Sequence, residues 1–513
     1  MLIKVFGSAV YGITATTITV EVNISPGAKF FLVGLPDNAV KESQQRIEAA
    51  LKNNDFRMPG KRIVINMAPA DIRKEGSAYD LTMAVGILAA SEQLFTQKLK
   101  EYIIMGELSL DGKLQPIKGA LPIVLQAKKE GFRGIILPKE NAIEASVVDG
   151  IEVYGLENIK EVVDFLEDKK IFTPTSMDIQ DIINQQVTSL PFDFSDVKGQ
   201  ENIKRALEIA AAGGHNAILI GPPGSGKSML AKRMPTILPP MTLEEALETT
   251  KIHSVAGKTT RAGSLITQRP FRAPHHTVSD VALVGGGNTP QPGEISLANH
   301  GVLFLDELPE FKRTVLEVLR QPLEDRVVTI SRAKFSVEYP ASFMLIAAMN
   351  PCPCGYYNHP TKQCVCPPGT VQRYLNKVSG PLLDRIDLHV EVTPVEIDEL
   401  TTQKPSLENS TTIRARVIKA RLIQKERFQN SNGIFCNAQM SSQNLQEYAQ
   451  LDEKGLNLLK TAIQRLKLSA RAYDRIIKVA RTIADLENSP TIQTKHIAEA
   501  IQFRSLDREG WAG

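Results

Sequence analysis

Residues 216–228 read NAILIGPPGSGKS. Ala217 to Ile220 form a short apolar run suited to a buried strand, a glycine turn follows, and a helix is expected to open at Lys227. The turn matches G-x-x-x-x-G-K-[ST] in full, running from Gly221 through Pro222, Pro223, Gly224, Ser225 and Gly226 to Lys227 and Ser228. Glycines let the backbone curl so that several N–H groups face one phosphate, and the N-terminus of the following helix adds its positive dipole end. Lys227 is then placed to reach the β- and γ-phosphates of ATP, and the Ser228 hydroxyl to ligate Mg²⁺. A chance glycine-rich loop would not carry the strand before it and the helix after it.

Length and composition bound what surrounds this loop. A chain of 513 residues is too long for one core, and a usual domain size of ~100–200 residues predicts about three domains. Sixty basic residues against 57 acidic ones leave a net charge of +3. Bulk charge therefore does not announce a nucleic-acid binder, and contact with DNA or RNA would need a local stripe or pore. No stretch approaches the ~20 apolar residues of a membrane span. The first residues, MLIKVFGSAVYGITATTITVEV, alternate like a strand rather than a signal segment, so the chain is expected to be cytoplasmic, with no membrane partner. Four of the five cysteines crowd one short loop, which suits metal binding better than a disulfide framework.

Three strands downstream carry the remaining phosphate chemistry. GVLFLDEL, residues 301–308, is an apolar run ending in two acids. Ligands of parallel sheets lie beyond the strand carboxyl ends, where Asp306 would hold Mg²⁺ through water and Glu307 would polarise the attacking water. SFMLIAAMN, residues 342–350, ends in Asn350, which could place the same water near the γ-phosphate. GPLLDRIDLHVEV, residues 380–392, puts Arg385 in a polar turn before a strand. It is read either as a guanidinium for transition-state charge on a neighbouring subunit's nucleotide, or as a structural partner of Asp384 or Asp387. Residues 466–486 are strongly helical, with Ser469 near the start and Arg471 able to face the nucleotide from a lid. Arg475 and Arg481 show that arginines are frequent there, and most are expected to face solvent.

Residues 1–166 alternate strand-like runs (ITATTITVEVNIS, KRIVINMAP) with helical ones (NAVKESQQRIEAALKNN, YDLTMAVGILAASEQ). RKEGSAYDL, residues 73–81, and residues 106–141 resemble the S5-like proteolytic domain of Lon proteases. By the family spacing Ala78 stands where the serine nucleophile should be and Leu121 where the lysine base should be. Ser77 lies beside the slot without a base, so binding, scaffolding or regulation is expected rather than proteolysis. Residues 167–194 read as a linker. Within 195–397, VKGQENIKRALEIAAAG leads into the phosphate-binding unit, with Gly199 and Gln200 either beside an adenine base or capping a surface helix. Residues 398–513 show i, i+3, i+4 apolar spacing with basic outer faces.

Taken together, GPPGSGKSMLAKR, FRAPHHTVSDVALVGGG, PGEISLANHGVLFLDELPEF, AAMNPCPCGYY and SGPLLDRIDLHVEV resemble the magnesium-chelatase-like AAA+ ATPases, and most closely the YifB/ComM group. The resemblance covers nearly the whole chain. It implies an α/β fold: an AAA+ P-loop core (195–397) behind a non-proteolytic Lon-like domain (1–166), with a C-terminal helical lid (398–513). It also implies a homo-hexameric ring with ATP between subunits, and a helicase that promotes branch migration of DNA during natural transformation. The competing expectation is a protein-remodelling or chelatase-like ATPase whose Lon-like domain grips a partner protein.

Two features are read on their own terms. Cys352 and Cys354 face Cys364 and Cys366 across CPCGYYNHPTKQCVC. Two C-x-C pairs can close on one tetrahedral zinc, although reduced thiols or an oxidisable pair remain alternatives. Cys436 has no neighbouring cysteine and is read as a core thiol. Residues 259–293 form a long excursion carrying Arg261, Arg269 and Arg272. In the related ATPases such an insert reaches the pore, where arginines would track the phosphates of a threaded strand regardless of sequence. His275 and His276 are expected to be structural, since no third ligand is evident nearby, and the run Gly285 to Gly287 is read as a flexible turn.

Overall fold

The computed structural model describes residues 2–177, 192–258, 265–287, 290–332, 335–394, 408–431, 433–466 and 468–504. The chain divides into two compact units, Met1–Gln185 with Leu243–Thr267, and Gln186–Thr242 with Gln268–Gly513.

The first unit is built on a seven-stranded mixed sheet. Leu2–Tyr11 and Thr14–Ser25 pair antiparallel along their whole length around a turn at Gly12. Arg62–Ala68 pairs with the second of these, and Phe30–Val33 closes one edge. Tyr102–Ile104, Gly134–Pro138 and Glu152–Leu156 extend the other side in parallel. The helices Asn38–Asn53 and Asp80–Ala90 match the helical runs read from the sequence. Every residue of Asp80–Ala90 is buried, which is why that run shows no polar stripe. Leu121, in the lysine slot of the Lon comparison, is buried in the core within Ala120–Lys129. Ala78 packs against the same core, and the Ser77 hydroxyl donates to the Glu107 carboxylate rather than to an amine.

This unit also takes a piece from the middle of the chain. The helix Leu243–Val255, expected within a continuous core over 195–397, belongs to the first unit. It buries Thr249, Thr250, Ile252 and Ser254 there, and the Ser254 carbonyl accepts from Gly119 N–H at 3.3 Å. The reason is chemical: its buried face mixes small hydroxyls with few large apolar groups, a combination that gives the sequence no clear address.

The second unit carries a five-stranded sheet whose neighbours all run parallel. Ala217–Ile220 lies between Met344–Met349 and Leu388–Glu391; Val302–Leu305 follows, and Phe271–Arg272 forms the edge. The Ala217–Ile220, Val302–Leu305 and Met344–Met349 strands are buried throughout, as expected where helices cover both faces of a parallel sheet. Glu201–Gly213 packs against Ser410–Arg427 and Ala470–Leu486. A second hairpin, Val327–Arg332 with Phe335–Pro340, stands apart from the main sheet. Among the described residues no helix is long and apolar enough to cross a membrane.

Candidate functional site

The parallel register sets the site. Ile220 pairs with Met349, so the loop leaving the first strand and the residue leaving the second emerge side by side. Gly221 can only be glycine: a Cβ there would sit 2.4 Å from the Val392 carbonyl oxygen. Gly224 and Gly226 both hold left-handed backbone, with φ of 78° and 86°, and Gly226 caps the helix Lys227–Ile237.

The Lys227 ammonium is folded onto its own loop, donating to the carbonyls of Gly221 at 2.7 Å and Pro222 at 2.9 Å. It also lies 3.2 Å from Asn350 Oδ1. Burial pushes its pKa below the usual lysine value, and Asp306 opposes that shift. Ser228 Oγ donates to Asp306 Oδ2 at 2.5 Å. A nucleotide phosphate could take over the lysine contacts now made by carbonyl oxygens. The Ser228 and Asp306 oxygens are hard donors of the kind Mg²⁺ takes, so the set fits that ion.

Glu307 adopts left-handed backbone, φ 53°, a costly conformation for a residue with a side chain, and its carboxylate is exposed. His276 Nδ1 lies 3.4 Å from Glu307 Oε2. His276 in turn packs at a tilt against His275, 4.1 Å between ring centroids, and meets Phe311 edge-on. His276 thus sits beside Glu307, a position its expected structural role does not specify. Its placement follows from the parallel pairing of Phe271–Arg272 with Val302 and Leu303, which brings the segment beyond Arg272 beside the segment beyond Leu305. Nothing in the local sequence signals that pairing.

Other expected residues fall differently. Arg385 is 5% exposed and its guanidinium is held by Glu324 Oε1 at 2.6 Å and the Pro381 carbonyl at 2.5 Å. Its partner is neither of the two aspartates considered. Asp387 belongs instead to Arg475 (2.8 Å), Asn216 N–H (3.0 Å) and His215 Nδ1 (3.4 Å). His215 Nε2 continues to Thr482 Oγ1 at 2.8 Å. Although most arginines of this helix are expected to face solvent, Arg475 and Arg481 point inward, Arg481 onto Asp485 at 3.0 Å. Arg471 is 58% exposed at the start of Ala470–Leu486, 4.0 Å from Asp384.

The arginines expected to meet DNA are also engaged. Arg269 donates to the carbonyls of Pro239 (2.7 Å) and His300 (2.7 Å), and Arg272 makes a two-pronged pair with Glu294 at 2.6 and 2.8 Å. Both guanidinium groups serve the fold of the second unit, and Arg261 lies outside the described residues. Gly285–Gly286 pairs with Gln291–Pro292 rather than forming a free turn. Gln200, in left-handed backbone, caps Glu201–Gly213 and donates to the Thr393 carbonyl at 2.6 Å. The four sulfurs of Cys352, Cys354, Cys364 and Cys366 lie within 4.8 Å of one another, while Cys436 is buried elsewhere.

A parallel sheet with a phosphate loop between its strands, and a serine, two acids and an amide at their carboxyl ends, defines a P-loop protein. Three family descriptions place it further: magnesium chelatase, subunit ChlI, over residues 193–400, subunit ChlI of Mg-chelatase over 20–141, and magnesium chelatase, subunit ChlI C-terminal, over 407–504. The chain belongs to the YifB/ComM group of this magnesium-chelatase-like family. It is 45% identical to competence protein ComM of Haemophilus influenzae over 506 residues, covering 98% of this chain and 97% of that one. It is 44% identical to YifB of Escherichia coli, covering 98% and 96%. A partial likeness, 30% over 126 residues (24% of this chain and 22% of the relative), links it to Lon protease 2 of Bacillus subtilis.

Proposed function

We propose that the chain is an AAA+ ATPase that acts on DNA in the process its ComM relative is named for, as a homo-hexameric ring promoting branch migration. The observation that carries the ATPase reading is the convergence at one sheet edge: Lys227 on Asn350 at 3.2 Å, and Ser228 on Asp306 at 2.5 Å. The DNA reading rests on the full-length likeness to a competence protein. On this reading the Lon-like domain spans 1–166, the linker 167–194, the core 195–397 less the borrowed helix, and the lid 398–513.

In the mechanism, the loop amides and Lys227 bind the phosphates of ATP. Ser228 and Asp306 would hold Mg²⁺, which when bound supplies charge neutralisation on the phosphates. Glu307 accepts the proton of the attacking water, and Asn350 orients that water. Arg471, exposed at the start of Ala470–Leu486, faces the nucleotide from the lid on this reading. His276 orients the Glu307 carboxylate. Arg385 stabilises the transferred phosphoryl group on a neighbouring subunit's nucleotide, exchanging its present partner Glu324 for that charge.

The test is ATP hydrolysis by the purified chain, with and without single-stranded and branched DNA, at two salt concentrations. The reading expects salt-sensitive stimulation, since phosphate contacts weaken as counterions compete. Lys227→Ala should lose nucleotide binding, whereas Glu307→Gln should bind ATP and turn it over at least ~100-fold more slowly. Normal hydrolysis by Glu307→Gln would remove the proton-accepting role. A rate indifferent to DNA would transfer the function to a protein substrate, with the first unit as its binding site.

A further inference from the structure

The cysteine loop lies against the phosphate loop, and its four sulfurs are arranged as ligands. Cys352 Sγ is 3.3 Å from Cys354 Sγ and 3.8 Å from Cys364 Sγ, and Cys354 and Cys364 are 3.6 Å apart. All four sulfurs, Cys366 included, fall within 4.8 Å. A disulfide would need about 2.05 Å. Tetrahedral zinc with Zn–S bonds of about 2.3 Å has a sulfur–sulfur edge of about 3.8 Å. The observed separations are those of a ligand set. Four ligands from one short loop, with no position left for water, make a closed structural site rather than a catalytic one.

The loop's other face is fixed by Gly355. Its φ is +85°, and a Cβ there would meet Pro223 Cδ of the phosphate loop at 2.5 Å. Two residues before the first ligand, Asn350 Oδ1 accepts from the Lys227 ammonium at 3.2 Å. The segment that positions Asn350 is thus the one that begins the metal loop.

We propose that Cys352, Cys354, Cys364 and Cys366 bind one structural Zn²⁺, and that this ion braces one wall of the nucleotide pocket through Gly355 and Asn350. The bracing rests on the nucleotide site proposed above; the metal site does not. Binding replaces four thiol protons, released to solvent, with four Zn–S bonds and changes no oxidation state. Without the ion, nothing covalent or coordinate closes the loop over residues 355–363, and Pro223 loses a fixed neighbour.

The full chain, purified under reducing conditions, should carry about one zinc per chain. Co²⁺ exchanged into it should show the thiolate-to-metal charge-transfer band and the strong visible bands of a tetrahedral CoS₄ centre. Cys366→Ser should lower the zinc content, whereas Cys366→His, which keeps a fourth ligand, should retain it. Stripping zinc with a chelator from the wild-type chain should weaken binding of a fluorescent ATP analogue on the order of tenfold, and added Zn²⁺ should restore it. This last comparison needs no variant to fold. Lys227→Ala keeps its zinc on this view while losing nucleotide, which separates the two readings. A chain without zinc after incubation with Zn²⁺, or one whose thiol count shows a disulfide pair instead, would overturn the metal site. Unchanged nucleotide affinity after stripping would overturn the bracing.

Discussion

At the scale of single residues, His276 is the group proposed to orient the Glu307 carboxylate. Glu307 sits in left-handed backbone with an exposed carboxylate, and the His276 imidazole lies 3.4 Å from it. His276→Ala should lower kcat for ATP about tenfold while leaving KM for ATP unchanged, because the group acts in turnover and not in binding. His276→Asn, which keeps an N–H donor, should recover part of the rate. An increase in kcat would make the imidazole a restraint instead. His215 gives a second prediction. Burial pushes its pKa below the usual histidine value, and Asp387 offsets only part of that shift. Burial would raise the Asp387 carboxyl, but the Arg475 charge and the His215 hydrogen bond hold it well below the usual carboxylate range. Both folded-state values are depressed, so the unfolded chain binds more protons and stability falls as pH falls. The histidine part is lost below about pH 6.5 and the aspartate part below about pH 4. Thermal midpoints measured between about pH 7.5 and pH 5.5 should drop, and the slope should flatten in His215→Asn.

At the scale of elements, the first unit joins two helices by one ion pair. Arg46, on Asn38–Asn53, meets the fully buried Asp80 at the start of Asp80–Ala90 through Nε at 2.7 Å and Nη2 at 3.1 Å. Burial raises the Asp80 pKa even against the guanidinium, so the carboxylate depends on that partner. Arg46→Ala should destabilise the unit by about 3 kcal/mol or more, measured by chemical denaturation. Asp80→Asn added to Arg46→Met should recover much of it, since the amide oxygen can still accept from Leu108 N–H. Elements of this kind were legible where one segment supplies its own signal. The apolar run 80–90 reads as a helix by its length, and the phosphate loop reads by spacing alone. What was not legible depends on partners far apart in sequence. Arg385 finds Glu324 rather than the adjacent Asp384, Arg475 takes Asp387, and His276 reaches Glu307 only because two strands run parallel. The hairpin Val327–Pro340 does carry a period-two pattern, but it contains no motif residue to draw attention to it.

At the scale of the molecule, the chain crosses between units three times, near 185, 242 and 267. The first unit is therefore not a module on one linker, because it completes itself with Leu243–Val255. The roots of that excursion are clamped within the second unit: Arg269 donates to the carbonyls of Pro239 at 2.7 Å and Pro240 at 3.3 Å. This is the role the structure gives an arginine that the resemblance to pore-insert ATPases places on DNA. A chain beginning at residue 192 would leave Thr249, Thr250 and Ile252 without the core that buries them. It should aggregate on size-exclusion chromatography. Replacing residues 243–267 of that shortened chain with a short Gly/Ser linker should restore a monodisperse peak and binding of a fluorescent ATP analogue, because the clamp already holds the two ends close. Equal solubility of both shortened chains would mean that the helix is stable without the first unit, and that the two crossings at its ends impose no coupling. Loss of nucleotide binding in the linker version alone would place the excursion, rather than the sheet edge, in control of the site.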